Sequence, residues 1–150
     1  MTQNHKTKKI LWVDDSFVDV FHQLMAYEDE LKYSGGFDIV KIEHPDKALD
    51  ILEKGDEVFA CIILDIMLPY GTRFNRGETE AGNKTGIILA SKIRQRVKYK
   101  DVPIVLLTGV RINPETLAEY QKEYHCFFKA DITAEKFRDE IRTIVGGNHE

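Results

Sequence analysis

The run from Cys61 to Gly71 reads CIILDIMLPYG. Its first four residues are apolar and rich in β-branched side chains, as suits a central strand buried on both faces of a parallel sheet. Asp65 stands directly after that strand core and before a Leu-Pro turn. A charge placed there has to be solvated, paired or metal-bound. Taken alone, Asp65 reads equally well as an ordinary loop carboxylate and as a functional one; the rest of the chain decides.

The chain alternates between strand and helix signals five times. Lys9 to Val13 is the first strand, followed at once by Asp14, Asp15 and Ser16. Ser16 or Asp15 is the expected cap of a helix whose apolar positions Phe17, Val20, Phe21, Leu24 and Leu31 recur at helical spacing. After Gly35-Gly36, Phe37 to Ile42 reads as a second strand of mixed polarity, suited to a sheet edge. Pro45 opens a short helix with Ala48, Leu49 and Leu52 inward and Gly55 as its stop. Val58 to Leu64 is the third strand. Helical spacing then resumes only at Gly86, 17 positions beyond Pro69, through Ile87, Leu89, Ala90, Ile93 and Val97.

Pro103 to Leu107 is the fourth strand, ending at Thr108-Gly109. Asn113-Pro114-Glu115 starts a fourth helix with Leu117, Ala118 and Tyr124 facing inward. Cys126 to Phe128 is the fifth strand, ending at Lys129. Thr133 caps a last helix with Phe137, Ile141 and Ile144 on one face and Gly146-Gly147 at its end.

Strands alternating with helices predict an α/β fold, a doubly wound five-stranded parallel sheet of flavodoxin-like order 2-1-3-4-5 with helices on both faces. At 150 residues the chain is long enough for one good core, so a single domain over 1–150 is expected, with its core at about 9–145. A 43% hydrophobic share, 31% charged residues and net charge −4 describe a soluble globular protein and give no reason to expect direct nucleic-acid binding. No stretch reads as a secretory signal or a membrane span, and a cytoplasmic location is expected. Cys61 and Cys126 lie in apolar runs and read as reduced core residues. The basic series Lys92, Arg94, Arg96, Lys98 and Lys100 reads as the solvated face of the third helix.

In that topology ligands bind outside the carboxyl ends of the strands. Asp14, Asp15, Asp65, Thr108 and Lys129 would therefore meet at one edge of the sheet. Three carboxylates in one cleft repel each other, and a hard divalent cation such as Mg2+ relieves the repulsion. A carboxylate can also accept a phosphoryl group as a nucleophile when cations neutralise the transferring charge. Lys129 offers such a charge, the Thr108 hydroxyl can donate to a phosphoryl oxygen, and Gly109 leaves room. Each residue has an ordinary alternative role as cap or surface charge; the set of them together favours chemistry.

The acidic pair in LWVDDS, the acid in LDIMLP, the hydroxyl in LLTG and the lysine in FFKAD resemble the receiver domain of two-component response regulators, from about Lys9 to Val145. The resemblance implies that Asp65 is the phosphoacceptor. It implies Mg2+ ligation by Asp15, Asp65 and the backbone carbonyl of Met67, with Asp14 in support, and phosphoryl binding by Thr108 and Lys129. It implies a signalling domain rather than an enzyme, taking its phosphoryl group from a histidine kinase or histidine phosphotransfer protein and acting on a downstream protein target. With no output domain following Val145, a stand-alone receiver is expected. Met67 and Val110, both apolar, take the positions that flank the attacking water, which implies a long-lived phosphorylated state.

The sequence departs from the family at three points. Ala130 follows Lys129 where the family usually has proline, Cys126 stands where an aromatic often moves with the hydroxyl residue, and Tyr70 to Thr85 is inserted. Gly71, Gly77 and Gly82 suggest a mobile loop outside the core, anchored at most by Phe74 and Ala81 and hanging over the site. Its alternatives are a tolerated excursion or a surface in which Arg73, Arg76 and Lys84 recognise a partner. Two other functions stay open. One is a docking module that is never phosphorylated. The other is a phosphatase of the haloacid dehalogenase type, although Met67 occupies the place of that family's second aspartate.

Overall fold

The computed structural model describes residues 7–19 and 22–146. Five strands, β1 (Lys9–Val13), β2 (Asp38–Ile42), β3 (Cys61–Leu64), β4 (Ile104–Thr108) and β5 (His125–Phe128), form one sheet. All neighbours are parallel and the order is β2-β1-β3-β4-β5, as the alternation predicts. Successive side chains of a strand point to opposite faces, and this sorts the core into two layers. On one face Leu11, Val13, Ile62, Leu64, Ile104 and Leu106 pack under α2 (Pro45–Lys54) and α3 (Thr85–Arg94). On the other, Ile10, Trp12, Ile63, Val105 and Leu107 pack under α1 (Met25–Asp29) and α5 (Ala134–Gly146). β1, β3 and β4 are covered on both sides, whereas β2 lies at an edge and is half exposed.

Several local expectations change. The first helix is split: Asp15–Val18 forms a 3-10 turn, α1 begins only at Met25, and it runs on as a π-helical turn over Glu30–Ser34. The cap of that 3-10 turn is Asp14 rather than Asp15 or Ser16, because the Asp14 carboxylate accepts from the Ser16 N–H at 2.9 Å. Leu24 and Leu31 are buried; Val20, Phe21 and Gly147 fall outside the described residues. Val58 precedes β3 and is exposed, and Val97 is 82% exposed because α3 has already ended at Arg94. Tyr99 is buried in its place and its hydroxyl donates to Glu57 O at 3.0 Å. α4 (Pro114–Gln121) is capped by Asn113 as expected, with Ala118 exposed and Leu117 only half-buried. Thr133 caps α5 through the Lys136 N–H, and Val145 joins its buried face.

The basic series is less free than a solvated face. Arg94 donates to Tyr99 O and Val102 O, Arg96 pairs with Glu53, Lys98 meets Gly55 O, and Lys92 lies over the Phe74 ring. Burial pushes the Cys61 thiol up to about 12 and that of Cys126 to about 11. Both stay protonated and unreactive.

The insertion is docked, not loose. Asp46, in the first turn of α2, accepts from the Thr72 N–H at 2.9 Å, the Thr72 hydroxyl at 3.0 Å and the Arg73 N–H at 3.1 Å. Arg73 then pairs with Asp50 and Glu53 further along the same helix. Phe74, only 6% exposed, enters the α2–α3 core layer, and Thr79 and Thr85 are buried; Ala81 is exposed and anchors nothing. The segment therefore belongs partly to the core.

Its return point is sterically exacting. A Cβ on Gly86 would lie 1.8 Å from the Asp65 carbonyl oxygen, and the Gly86 N–H donates to Ile66 O at 2.8 Å. Only glycine lets α3 begin against the backbone that carries Asp65. Denaturant unfolding is expected to show Phe74→Ala losing about 3 kcal/mol, as for other buried aromatics. Gly86→Ala should lose as much or more, since backbone rather than a side chain has to move.

Candidate functional site

Three polar groups at the carboxyl edge are each placed by one hydrogen bond continuing the ladder past a strand end. The Asp14 N–H donates to Ile42 O at 3.0 Å, the Asp65 N–H to Val13 O at 3.1 Å and the Lys129 N–H to Thr108 O at 3.0 Å. The sheet's parallel register thus brings together side chains that are far apart in sequence.

Asp14 is completely buried, Asp65 is 6% exposed and Thr108 is buried. The Lys129 ammonium sits 3.0 Å from Asp14 Oδ2 and 3.0 Å from Asp65 Oδ2. Toward Asp65 this is an aligned hydrogen bond; toward Asp14 it is an ion pair. Asp65 Oδ1 is buried and has no donor. Thr108, whose hydroxyl accepts from the Val110 N–H at 3.2 Å, favours the ionised form of the same carboxylate without giving Oδ1 an aligned bond.

Burial, and then the charge of Asp14, push the Asp65 carboxyl above its ordinary value, against Lys129 and Thr108. Burial pulls the Lys129 ammonium down, but Asp65 and Asp14 together outweigh it and hold the group above its ordinary value. The site keeps its cation and disfavours the ionised form of Asp65.

Asp15 is exposed, and its carboxylate, with those of Asp14 and Asp65, offers ligand atoms that all lie within 4.8 Å of one another. Three hard oxygen donors, one carboxylate oxygen unpartnered, fit an oxygen-seeking divalent cation of the Mg2+ or Mn2+ kind. A cleft of about 490 Å3 opens over them, lined by Asp15, Asp65, Met67, Val110, Lys129 and Ala130 among others. A second cleft of about 430 Å3 shares Asp15 and Met67 and is walled by Tyr70, Gly71 and Ala81 to Asn83 of the insertion. Of the insertion's cations, Arg73 pairs with α2 and Lys84 with Glu80; Arg76 alone of the three has no ion-pair partner among the described residues.

The residues of β5 differ in direction. Cys126 lies on the α4 side, Phe127 packs edge-on against Phe137 at 5.7 Å, and Phe128, opposite Thr108 in the ladder, lines a cleft of about 250 Å3 with it. Two residues carry weight that the sequence reading missed. Gly86 fixes the approach of α3 to Asp65, and a glycine opening a helix after a long polar insertion was its only signal. Tyr27 completes the Leu24, Leu31 stripe of the first helix and reaches the loop beyond Lys129.

No family model matches the chain. It is similar to the chemotaxis protein CheY homologue of Campylobacter jejuni, 23% identical over 138 residues that make up 92% of either chain. In structure it is similar to chemotaxis protein CheY4 of Vibrio cholerae, with TM-score 0.67 and 20% identity over 93% of this chain and 99% of that one. It is also similar to the receiver domain of sensor histidine kinase PA1611 from Pseudomonas aeruginosa, solved with a magnesium ion coordinated in the active-site cleft. That match has TM-score 0.66 and 18% identity over 94% of this chain and 99% of the other. The fold is that of CheY-like receiver domains. Among the described residues no helix is long and apolar enough to cross a membrane.

The raised Asp65 carboxyl fixes a pH dependence. A carboxyl whose folded value exceeds its unfolded value costs nothing while protonated in both states. The cost grows as pH rises from the ordinary carboxyl range through the folded value. In metal-free buffer, Asp65→Asn should therefore be more stable than the wild type at neutral pH. Denaturant midpoints measured at falling pH should converge as the ordinary carboxyl range is reached; a variant less stable at neutral pH would contradict this.

Proposed function

Starting from the CheY-like receiver fold that this chain has, we propose that it is a response-regulator receiver that takes a phosphoryl group onto Asp65. The donor is a phosphohistidine of a histidine kinase or histidine phosphotransfer protein, and the phosphorylated form acts by binding a downstream protein. The observation that carries this is the state of Asp65. One carboxylate oxygen is held by Lys129 while the other is buried, unpartnered and beside the open cleft. Such an oxygen is a positioned nucleophile.

In the transfer, the Oδ–P bond to Asp65 forms as the N–P bond of the donor breaks, and the imidazole leaves with its electron pair. Lys129 follows the growing charge from the carboxylate to a phosphoryl oxygen, and the Thr108 hydroxyl donates to another. Asp15, Asp65 and the Met67 carbonyl would hold the magnesium ion, with Asp14 buried behind them. Bound there, that ion supplies charge neutralisation for the phosphoryl group. Self-phosphorylation and self-dephosphorylation are the only catalysis this arrangement asks for.

Incubation with acetyl phosphate and magnesium, followed by intact-mass measurement, tests the reading. One phosphoryl addition in the wild type, absent in Asp65→Asn, is expected. No addition would instead support a docking module, and steady turnover of phosphate esters a phosphatase. Asp15→Asn removes a ligand charge and should weaken magnesium binding at least tenfold by calorimetry. An unchanged titration would sink the ligand assignment.

Met67 and Val110 line the same cleft as Asp65. Neither can orient a water by hydrogen bonding, so the acyl phosphate should be long-lived. Met67→Asn introduces a polar amide beside it, and a severalfold shorter phosphoryl lifetime is expected; an equal or longer lifetime counts against this role.

A further inference from the structure

The loop that carries Lys129 onward into α5 is thinly held. Ala130 and Asp131 are exposed, and the turn has one internal bond, from the Asp131 N–H to Phe128 O at 3.0 Å. Its closure comes from another element. The Tyr27 hydroxyl, on α1, lies 2.8 Å from Lys129 O and 2.6 Å from Ile132 O. A phenol has a single proton, so it is shared between two carbonyls that bracket the loop.

The ring that presents this hydroxyl is itself fixed. Tyr27 is 8% exposed and packs edge-on against Phe137 of α5 at 5.4 Å, and Phe137 in turn contacts Trp12 and Phe127. Burial raises the phenol above its ordinary value, so it remains a donor. A rigid aromatic wedge therefore sets the distance between Lys129, the residue that follows β5, and the start of α5. The residue so fixed is the one whose ammonium must lie 3.0 Å from two carboxylates at once.

We propose that Tyr27 is the positioning residue for Lys129: its hydroxyl closes the loop after β5 and thereby sets where the ammonium sits between Asp14 and Asp65. For its consequence in phosphoryl transfer this rests on the function proposed above; the clamp itself is independent of it. Removing the hydroxyl leaves the ring packing in place but frees the backbone on the carboxyl side of Lys129. A displacement of the order of 1 Å at a group that must meet a reacting oxygen costs on the order of tenfold to a hundredfold in rate.

A double-mutant cycle between Tyr27→Phe and Lys129→Ala in metal-free buffer tests the clamp. Lys129→Ala keeps the backbone carbonyl that Tyr27 bonds, so a hydroxyl that only braces the loop would be worth the same in both backgrounds. Positioning of the side chain predicts coupling: the drop in denaturation midpoint caused by Tyr27→Phe should shrink to less than half in the Lys129→Ala background. Equal drops overturn the proposal. So does a Tyr27 hydroxyl proton that exchanges freely with water in the wild type, where a slowly exchanging resonance is expected. With acetyl phosphate, Tyr27→Phe should lower the maximal labelling rate about tenfold and leave the donor concentration for half-maximal rate unchanged. A wild type that accepts no phosphoryl group would refute the proposed function, while the cycle would still decide the clamp.

Discussion

Two carboxylates, one fully buried and one nearly so, share a single lysine ammonium at equal distances of 3.0 Å. Much of the carboxyl edge serves that contact. Asp14 and Asp65 in the interior without Lys129 would be two uncompensated charges in a low-dielectric setting, a cost of several kcal/mol each. With it, the pair is tolerated but not relaxed, as the raised Asp65 carboxyl records. The other Asp65 oxygen is left buried and without a hydrogen-bond partner.

Holding the contact requires three strands in fixed register. Asp14 follows β1, Asp65 follows β3 and Lys129 follows β5, and each is tied by its backbone N–H to the neighbouring strand. The two core layers supply the rigidity, since β1, β3 and β4 are packed on both faces and cannot slide without moving their whole apolar set. The connection after β5 is more thinly held, since Ala130 and Asp131 are exposed and the turn has one internal backbone bond. There a tyrosine from across the molecule closes the loop. The opposite extreme is the start of α3, where backbone meets backbone so closely that no side chain is tolerated at Gly86.

The insertion illustrates how composition misleads. Three glycines and a polar run suggested a mobile loop over the site. Instead its first half is bound along α2, with Asp46 acting as an acceptor for two backbone N–H groups and Phe74 filling a place in the core. Its two ends, Tyr70 with Gly71 and Ala81 to Asn83, border the space beside Asp15. Of the insertion's cations, Arg73 and Lys84 each already pair with an acid of the same chain.

The sequence by itself determined the fold class, the strand order and the cluster of polar groups at one edge. Those follow from short-range information: buried strands read as apolar runs, strands and helices alternate, and a residue directly after a strand must sit at the sheet's carboxyl edge. Only the tertiary structure decided which acid is buried and which is exposed, since Asp14 and Asp15 are adjacent and chemically identical. It also decided that Asp14 caps the turn after β1, that α1 is broken and starts late, that Val97 faces water while Tyr99 does not, and that Phe74 belongs to the core. Tyr27 belongs in the same class. Its hydroxyl meets carbonyls more than a hundred residues away, and no local pattern encodes a contact whose partners are brought together by the packing of α1 against α5.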